Sequence, residues 1–416
     1  MASSIVSAQN RVESPFIIVK IGDYTFGACS DMSNRQKMKN FMKVTFPNYM
    51  QSLNIVKVNG AVNTYNLNME YGITEVDDPN MLEKVFSSVS STREIKLSYG
   101  DWNAPSFIYK EEEAIITKIS SNVDFNNSKI IYTISCVSSA LALKAGNFSF
   151  GARTAKPSDV LIDLLNNEAY GLTTIFTGMR SMTKTALAGL IARDDKRVRI
   201  EAKDSINILD YVGYLVNCMV SQNDKGGPLK SSNYYWAVYD DISNELGGTY
   251  FKVVRVDAGA QYNISYDTYE VDVGYPSGSY VSSFIVNSDD TWSILYDYSR
   301  RIQQPQYSYT INREGEVVSI DSPAVTKSSK YLKTTEADKT WWTQVTQFPI
   351  TAKLTIKGLL RPTLLMSYIK VNTYFYGHKH ISSGLYIITK QEDSINSSGY
   401  KTTLTLTRIS GDTNYV

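Results

Sequence analysis

The chain has 416 residues, of which 43% are hydrophobic and 20% are charged, and its formal net charge is +1. A chain of this length divides into about two to four domains. The near balance of charge argues against a protein that binds nucleic acid over its whole surface. The three cysteines, Cys29, Cys136 and Cys218, lie far apart, which predicts small buried side chains in a reducing compartment and no disulfide framework.

The sequence predicts neither a signal peptide nor a membrane-spanning segment. The first ten residues contain no positive run followed by an apolar core, so no signal peptide is predicted. The longest uncharged apolar run, residues 186–192, is too short to cross a bilayer. The 30 tyrosines suit half-buried strands and protein interfaces, where the ring packs and the hydroxyl stays wet.

Residues 1–145 are predicted to be mostly β. Residues 16–19 and 24–26 flank a turn at Gly22-Asp23, and residues 65–71 alternate apolar with polar side chains. A polar, basic stretch at 34–43 is a short helix or a loop. We expect this segment to form a small β-barrel.

Between the predicted strands of this barrel domain lie one helix and one turn. Asp78-Pro79 starts the helix, because aspartate is a good N-cap and proline fits the first helical position. Residues 95–97 are predicted as a strand and residues 99–102 as a turn. The acidic run at residues 111–113 leads into a hairpin and is interpreted as solvated.

Residues 146–235 are predicted to be a helix-containing middle domain. One helix starts at Pro157-Ser158-Asp159, and a second starts at Asp204 or Ser205. The structure of residues 183–191 stays open, and residues 223–228 are the best linker in the chain.

Residues 236–330 form a further β-rich domain and residues 331–416 a second small barrel, which strands from 236–330 help to complete. A loop is predicted at residues 328–339. The predicted strands share alternating or β-branched and aromatic composition; they cover residues 250–256, 269–273, 280–286, 292–298, 307–311 and 317–320.

The sequence contains an internal repeat. The tetrapeptide Ile-Ile-Thr-Lys occurs at residues 115–118 and again 272 positions later at 387–390. An ungapped alignment continues through a turn, matching Asn126-Asn127 with Ser398-Gly399, and places Lys129 on Lys401, Thr133 on Thr405 and Ser138 on Ser410. This pattern favours duplication of a β-domain that ends in a hairpin, with chance similarity of two hairpins as the alternative. The predicted fold class is therefore α+β and mainly β.

Several residue clusters could serve either a chemical or a structural role. His378 and His380 are the only histidines, and a metal site needs a third ligand, so a polar or interface role is favoured. Acidic pairs at 111–113 and 194–195 could serve glycoside hydrolysis, but charge runs beside strands are usually solvated. Trp341-Trp342 could stack on sugars, although a core or interface role is favoured. No catalytic, cofactor or metal residues are assigned, and no enzyme activity is expected.

The C-terminal strands at 354–356 and 369–375 are followed by a Gly384-x-Tyr386-x-Ile388 pattern, a Gly399-Tyr400 turn and an alternating strand that ends in Arg408. This order shows a resemblance to the hub proteins of phage tail baseplates and related secretion tips. Asp78-Pro79-Asn80, Tyr99-Gly100 and Tyr275-Pro276-Ser277 extend it more loosely, to about two thirds of the chain.

The resemblance implies a homotrimer in which six similar barrels form a ring between a six-fold tail tube and a three-fold central spike. Other baseplate proteins and a tape-measure protein are implied as partners. DNA would pass through a lumen with acidic and neutral polar walls, without specific binding. The protein would be made in the host cytoplasm and reside in the virion tail, with no membrane insertion.

Interface residues can be suggested only coarsely. The candidates lie in the two hairpins, in a tyrosine-rich strand and in the tryptophan pair: Asn126, Asn127, Tyr132, Trp341, Trp342, Ser398, Gly399, Tyr400 and Leu404. Two alternatives stay open, namely a tail-associated module that binds or cleaves glycans, and a cytosolic carbohydrate- or nucleic-acid-binding β-protein.

Overall fold

The structure of the protein is a computed structural model. It describes residues 4–5, 12, 14–29, 46–47, 50–72, 93–101, 108–166, 190–224, 230, 232–240, 249–257, 267–273, 281–291, 308–311, 317–321, 336–358 and 364–411. The predictions for residues 34–43, the helix after Asp78, most of 183–191 and the strand at 292–298 lie outside these residues. No helix in the described ranges is both long enough and apolar enough to span a bilayer.

The chain is mainly β, as predicted, and its first part consists of strands. These are β1 (Ser4–Ile5), β2 (Pro15–Ile21), β3 (Tyr24–Cys29), β4 (Phe46–Pro47), β5 (Met50–Val58), β6 (Thr64–Gly72), β7 (Glu94–Asp101), β8 (Ile108–Asp124) and β9 (Lys129–Val137). Inward side chains such as Val19, Leu67 and Ile134 form one hydrophobic core. The turn predicted at 99–102 is wrong up to residue 101, because Tyr99, Gly100 and Asp101 pair with both β2 and β8.

The middle of the chain contains the helices that the sequence predicts there and a long hairpin. Its elements are a 3-10 helix (Ser139–Lys144), β10 (Phe148–Phe150), β11 (Arg153–Ala155), α1 (Pro157–Leu165), β12 (Val198–Ile200), β13 (Lys203–Ile206), α2 (Ile208–Cys218), β14 (Ser232–Tyr239) and β15 (Tyr250–Asp257). Helix α1 starts at Pro157, as predicted.

Helix α2 starts at Ile208, later than predicted, because two local interactions set its boundary. The side chain of Asn207 accepts a hydrogen bond from the Asp210 N–H (2.9 Å) and so caps the helix. The preceding residues, β13, pair with β10 instead of continuing the helix. The apolar stripe that predicted α2 is confirmed, since Leu209, Val212 and Val216 are buried.

The last part of the chain returns to strands. Its elements are β16 (Asp267–Val273), β17 (Val281–Ser288), β18 (Ser308–Ile311), β19 (Val317–Asp321), α3 (Glu336–Gln347), β20 (Ile350–Lys357), β21 (Tyr368–Phe375), β22 (His378–Lys379), β23 (Gly384–Asn396) and β24 (Gly399–Gly411). The loop predicted up to residue 339 is wrong from Glu336 onward. Packing decides this, because Thr340 on α3 donates to the Asn217 carbonyl at the end of α2 (2.6 Å).

One large sheet connects the two ends of the chain. We call β5-β6-β9-β8-β7 the first unit and β17-β20-β24-β23-β21 the second unit; neighbours within each are antiparallel. Strand β23 also pairs with β5, so the two units form a continuous sheet. Strands β2 and β3 extend the first unit, and β16 extends the second.

Strand β14 joins the middle region to the second unit. All eight of its residues are buried. Tyr234, Trp236 and Val238 pack into the core that contains α1 and α2, whereas Tyr235 and Tyr239 pack into the core of the second unit. The domain boundary placed at 235/236 therefore falls inside one strand whose two faces serve different cores.

Candidate assembly interface

The two units match strand by strand. In the first unit Ile115 lies opposite Val137 on β9 and Glu94 on β7. In the second unit Ile387, the same position of the repeated tetrapeptide, lies opposite Thr407 on β24 and Tyr368 on β21. The repeated tetrapeptide thus occupies the same site in two equivalent sheets.

The repeat also includes a β-bulge, which lies at the threonine of the tetrapeptide in both units. The register shifts by one residue between Ile116 and Lys118 and again between Ile388 and Lys390, which leaves Thr117 and Thr389 as β-bulges. The Thr117 Oγ1 donates to the Ser135 carbonyl (3.0 Å), and the Thr389 Oγ1 donates to the Thr405 carbonyl (3.3 Å). Each bulge bends its strand, so the second half of the strand leaves one neighbour and becomes available to another.

The ungapped alignment predicted from the sequence is wrong after the turn. The first hairpin turn contains residues 125–128, whereas Asn396 pairs with Gly399 across a two-residue turn. The offset of 272 on the outgoing strand therefore becomes 270 on the return strand. Thr133 matches Thr403 instead of Thr405, and Lys129 matches Gly399 instead of Lys401.

The outer strands of the units are equivalent too. Strand β5 has a register shift between Met50 and Ser52, and β17 has one between Val281 and Ser283. Leu53 opposes Leu67 in the first unit as Phe284 opposes Leu354 in the second. This third matching strand could not be recognised from the sequence, because β5 and β17 share almost no residues.

The units meet where β23 changes partners. Its first half pairs with β21, and after the Thr389 bulge residues 390–396 pair with β5. Ile395 lies opposite Leu53, and both side chains are buried in the core of the first unit. We call the pairing of 390–396 with β5 the junction.

Tyr400 reinforces the junction. Its ring is buried in the core of the first unit and meets Tyr99 edge-on, with ring centroids 6.3 Å apart. The backbone makes room for it at Gly358, where a Cβ would lie 2.2 Å from Tyr400 Cγ. Tyr400, predicted as an interface residue, thus lies between the two units of one chain.

Polar groups are buried beside the junction. Lys57 and Glu112 form a buried ion pair, and the Tyr99 hydroxyl donates to the same carboxylate (3.0 Å). Glu112 is fully buried, so the acidic run is not solvated at this position. Opposite Lys57 on β23 is Gln391, which donates to Asp393 (2.7 Å), and Asp393 also accepts from Thr402 (2.6 Å).

Within the described ranges, each unit has one strand edge that no other strand covers, and each of these edges matches one side of the junction. Residues 118–124 of β8, which match 390–396, pair only with β9 among the described residues. Strand β17, which matches β5, likewise pairs only with β20 among the residues that the structure describes. Both edges carry exposed apolar side chains: Val123 is 40% exposed and Ile285 is 54% exposed.

The face of the sheet opposite the cores is dominated by small neutral polar side chains. The Asn68 side chain accepts from Thr133 (3.0 Å), and at the matching positions Thr355 and Thr403 lie 3.5 Å apart. Charged side chains of both signs interrupt this face, namely Lys118, Lys353, Lys401, Glu70 and Glu113. The other residues of the face include Ser52, Asn54, Asn66, Ser120, Ser135, Thr351, Ser394 and Thr405.

The remaining interface candidates fall in different surroundings. Asn126 and Asn127 are exposed in the first turn, where their backbone N–H groups donate to Asp124; bonds from Asn127 lower the pKa of this carboxyl. Ser398 is exposed and Gly399 has a φ of 124°, which suits glycine.

The other three described candidates contact their own chain. Tyr132 is half-buried against the first core, and Leu404 is fully buried in the second. Trp341 is partly buried on α3, and the Trp342 side chain lies outside the described residues.

The carboxylates considered for catalysis have structural partners. Asp194 forms an ion pair with Arg255 and accepts from the Tyr234 hydroxyl (3.2 Å). Asp195 accepts from the Ser158 N–H (3.0 Å) and so caps α1, and burial raises its pKa. The described residues contain no group of three or more metal-ligating side chains, and His380 Nδ1 lies 2.8 Å from the Ser382 hydroxyl. Cys136 and Cys218 are buried free thiols, as predicted.

Comparison with solved structures finds tail proteins. The chain is similar to a tail protein from Neisseria meningitidis MC58. The alignment covers 95% of this chain and 96% of that protein, at 8% identity and a TM-score of 0.47. It resembles the 43 kDa tail protein of prophage MuSo2 from Shewanella oneidensis over 94% and 96% of the two chains, at 9% identity and a TM-score of 0.49. A type VI secretion system component from E. coli is similar over 87% and 75%, at 9% identity and a TM-score of 0.45.

These structures belong to the class that the sequence resemblance indicates. The chain matches no protein-family model and no curated protein at significant similarity. At such low identities and TM-scores the likeness assigns no function, which is inferred below from the chain's own strands.

Proposed function

We propose that the protein is a structural subunit of a tail baseplate hub, in which three copies form a closed ring. The observation that carries this proposal is that the chain contains a second copy of each strand that forms the junction. Within one chain, the half-strand after the Thr389 bulge pairs with the outer strand of the other unit. The equivalent half-strand after Thr117 and the equivalent outer strand β17 are both uncovered in the described structure.

The intrachain junction fixes the register of the proposed contact between copies. Residues 118–124 of one copy pair antiparallel with β17 of the next, with Val123 opposite Phe284 and Asn122 opposite Ile285. The pair Val123–Phe284 corresponds to Ile395–Leu53, which is buried at the junction. Burial of exposed apolar side chains favours this association. At the far end of the pairing, Lys118 of one copy lies near Asp289 of the next.

Such a contact is heterologous, joining two different surfaces, and therefore builds a ring when its rotation closes. Because each chain has two units, the contacts around the ring alternate between the junction within a chain and the proposed contact between copies. The number of three chains, and the partners of the ring, follow from the resemblance to hub proteins. Six similar units would face a six-fold tail tube, while the middle regions keep three-fold symmetry toward a central spike.

The polar face of the sheet would line the lumen through which DNA passes. Serine, threonine and asparagine bind DNA weakly, because they do not release counterions from the phosphate backbone. Acidic side chains, which we expected there, include Glu70, Glu113 and Glu392, and the lysines Lys118, Lys353 and Lys401 are scattered among them.

The contact between copies should be weaker than the junction within a chain. The position of Lys57, which pairs with Glu112, is occupied by Ser288 in β17, and the position of Tyr400 is occupied by Ile130 in β9. The buried ion pair and the aromatic contact are thus confined to the intrachain junction. This difference would let the subunit fold alone and close its ring at the baseplate.

Cysteine cross-linking tests the proposal. The variant Asn122→Cys/Ile285→Cys places two thiols on one face and opposite each other in adjacent copies. Oxidation, or bridging with a short dithiol reagent over a series of protein concentrations, should give covalent trimers on a denaturing gel. Analytical ultracentrifugation of the wild type should show a trimer at the highest concentrations.

The matched control is Asn122→Cys/Asn287→Cys, whose second thiol is also exposed and on the same face but two residues out of register. Equal cross-linking in both variants would show contacts that ignore the proposed register. A protein that remains monomeric and uncrosslinked throughout the concentration series would contradict the ring.

A further inference from the structure

A cavity of about 340 Å³ lies outside the assembly interface. It is lined by the β5–β6 turn, the end of the 3-10 helix, α2, β14 and α3. The β5–β6 turn is tied to its floor, since the Gly60 N–H donates to the Trp236 carbonyl (2.8 Å) and the Trp236 N–H donates to Asn59 Oδ1 (3.2 Å). A cavity of this size is at the lower end of the range for small-molecule sites.

Trp236 presents an unused donor to this cavity. Its side chain is 93% buried, with the ring against Phe251 at a centroid distance of 5.8 Å. Its indole N–H donates to no acceptor among the described residues, and its nitrogen is not one of their buried polar atoms without a partner, so the N–H faces the open space of the cavity.

Two glycines keep the indole nitrogen accessible. Gly60 has a φ of 76°, and Gly213 lies in the middle of α2; a Cβ added to either would lie 3.9 Å or 3.6 Å from Trp236 Nε1. Glycine destabilises a helix interior relative to alanine. At Gly213 its presence leaves open the space beside the indole N–H that a side chain would fill.

The rest of the lining is polar and nearly neutral. Lys144 and Asp210 contribute one charge of each sign, and Asn217 and Gln344 contribute amides. The side chains of Lys144, Asn217 and Gln344 make no hydrogen bond to any residue that the structure describes. Leu209 and Val62 supply a small apolar wall.

From this arrangement we propose that the cavity is a binding site for a neutral saccharide of one or two rings. A sugar combines hydroxyl donors and acceptors with an apolar ring face, and so matches unpaired amides, a carboxylate, an indole N–H and a short apolar wall. A charged ligand is disfavoured, because Lys144 and Asp210 balance. This site is independent of the proposed ring, since its residues lie on neither strand edge.

The test uses the full-length protein labelled with ¹⁵N-tryptophan and a panel of neutral sugars: glucose, galactose, N-acetylglucosamine, maltose, cellobiose and N,N′-diacetylchitobiose. At least one should shift the indole N–H signal of Trp236, identified by its loss in Trp236→Phe. Calorimetry then measures affinity. Gly213→Ala should weaken binding at least fivefold while raising the melting temperature, because alanine favours the helix.

The matched control is Gly151→Ala, where an added Cβ meets nothing within 4 Å; its affinity should equal that of the wild type. Silence of the Trp236 signal with every sugar overturns the proposal and leaves the cavity to another class of ligand, such as a peptide. Binding that Gly213→Ala leaves unchanged also overturns it, because the sugar would then lie elsewhere.

Discussion

Lys57 and Glu112 form an ion pair that is almost completely buried beside the junction of the two units. Replacing Lys57 with methionine leaves a carboxylate buried without its cation. We expect Lys57→Met to lower the free energy of unfolding by about 3–5 kcal/mol. Urea unfolding followed by tryptophan fluorescence measures the change.

An exposed ion pair in the same sheet provides the control. Lys96 and Glu113 lie 2.9 Å apart, with Lys96 56% exposed, so Lys96→Met should cost about 0–1 kcal/mol. The double variant Lys57→Met/Glu112→Leu should recover most of the loss, because replacing both charges removes the desolvation cost. A single variant as stable as the wild type would show that the pair is not buried.

Gly358→Ala should destabilise the junction. The new Cβ would overlap the ring of Tyr400, which has no free space on its other side because it packs into the first core. Overpacking of this kind costs about 1–3 kcal/mol. Thermal unfolding should show a lower melting temperature for Gly358→Ala than for Gly151→Ala, which has no neighbours to meet. Equal melting temperatures would contradict the tight contact.

Lys230 should make stability depend on pH above neutrality. Its Nζ donates to the carbonyls of Asn217 (2.6 Å) and Met219 (3.0 Å) and to the Thr340 hydroxyl (2.6 Å), and burial lowers its pKa from 10.5 to about 8. Between these two values the unfolded chain binds more protons than the folded chain, so stability rises with pH.

The gain across that window is about 3 kcal/mol. The measurement is the difference in unfolding free energy between wild type and Lys230→Met at pH 7.5, 9 and 10.5. This difference should shift in favour of the wild type as the pH rises, since the variant lacks the titrating group. If the difference in unfolding free energy is the same at all three pH values, Lys230 keeps its proton in the folded protein throughout this range.

The first hairpin should accept the shorter turn of the second. Replacing residues 125–129 with Ser-Ser-Gly reproduces the turn that ends at Gly399, whose φ is 124°. We expect this variant to melt within a few degrees of the wild type. Replacing only 125–128 with Ser-Ser places Lys129 at the positive φ and should cost about 1–2 kcal/mol. If both variants melt together, the turn does not need glycine.

The outgoing strand of the hairpin was predictable because Ile-Ile-Thr-Lys recurs and carries the bulge with it. The return strand was misaligned because threonine alternates along β24, so that Thr403 and Thr405 serve equally well as matches for Thr133. A two-residue slip preserves which side chains face inward, and therefore leaves no mark in the hydrophobic pattern.

Other features depended on contacts between distant residues. The sequence around Glu336 favoured a loop, since threonine and tryptophan are weak helix formers, and α3 is stabilised by contacts with α2 and Lys230. Glu112 is buried because Lys57, 55 positions away, neutralises it. Trp236 and its cavity left no signal in the sequence, because the lining comes from five separate elements.

The junction also has a consequence for the order of synthesis. A ribosome releases β5 long before β23, so the edge that β23 covers stays bare while more than three hundred further residues are made. An uncovered strand edge recruits other strands. Nascent chains stalled before Gly384 should therefore stick to one another, and the final hairpin acts as the cover that ends this exposure.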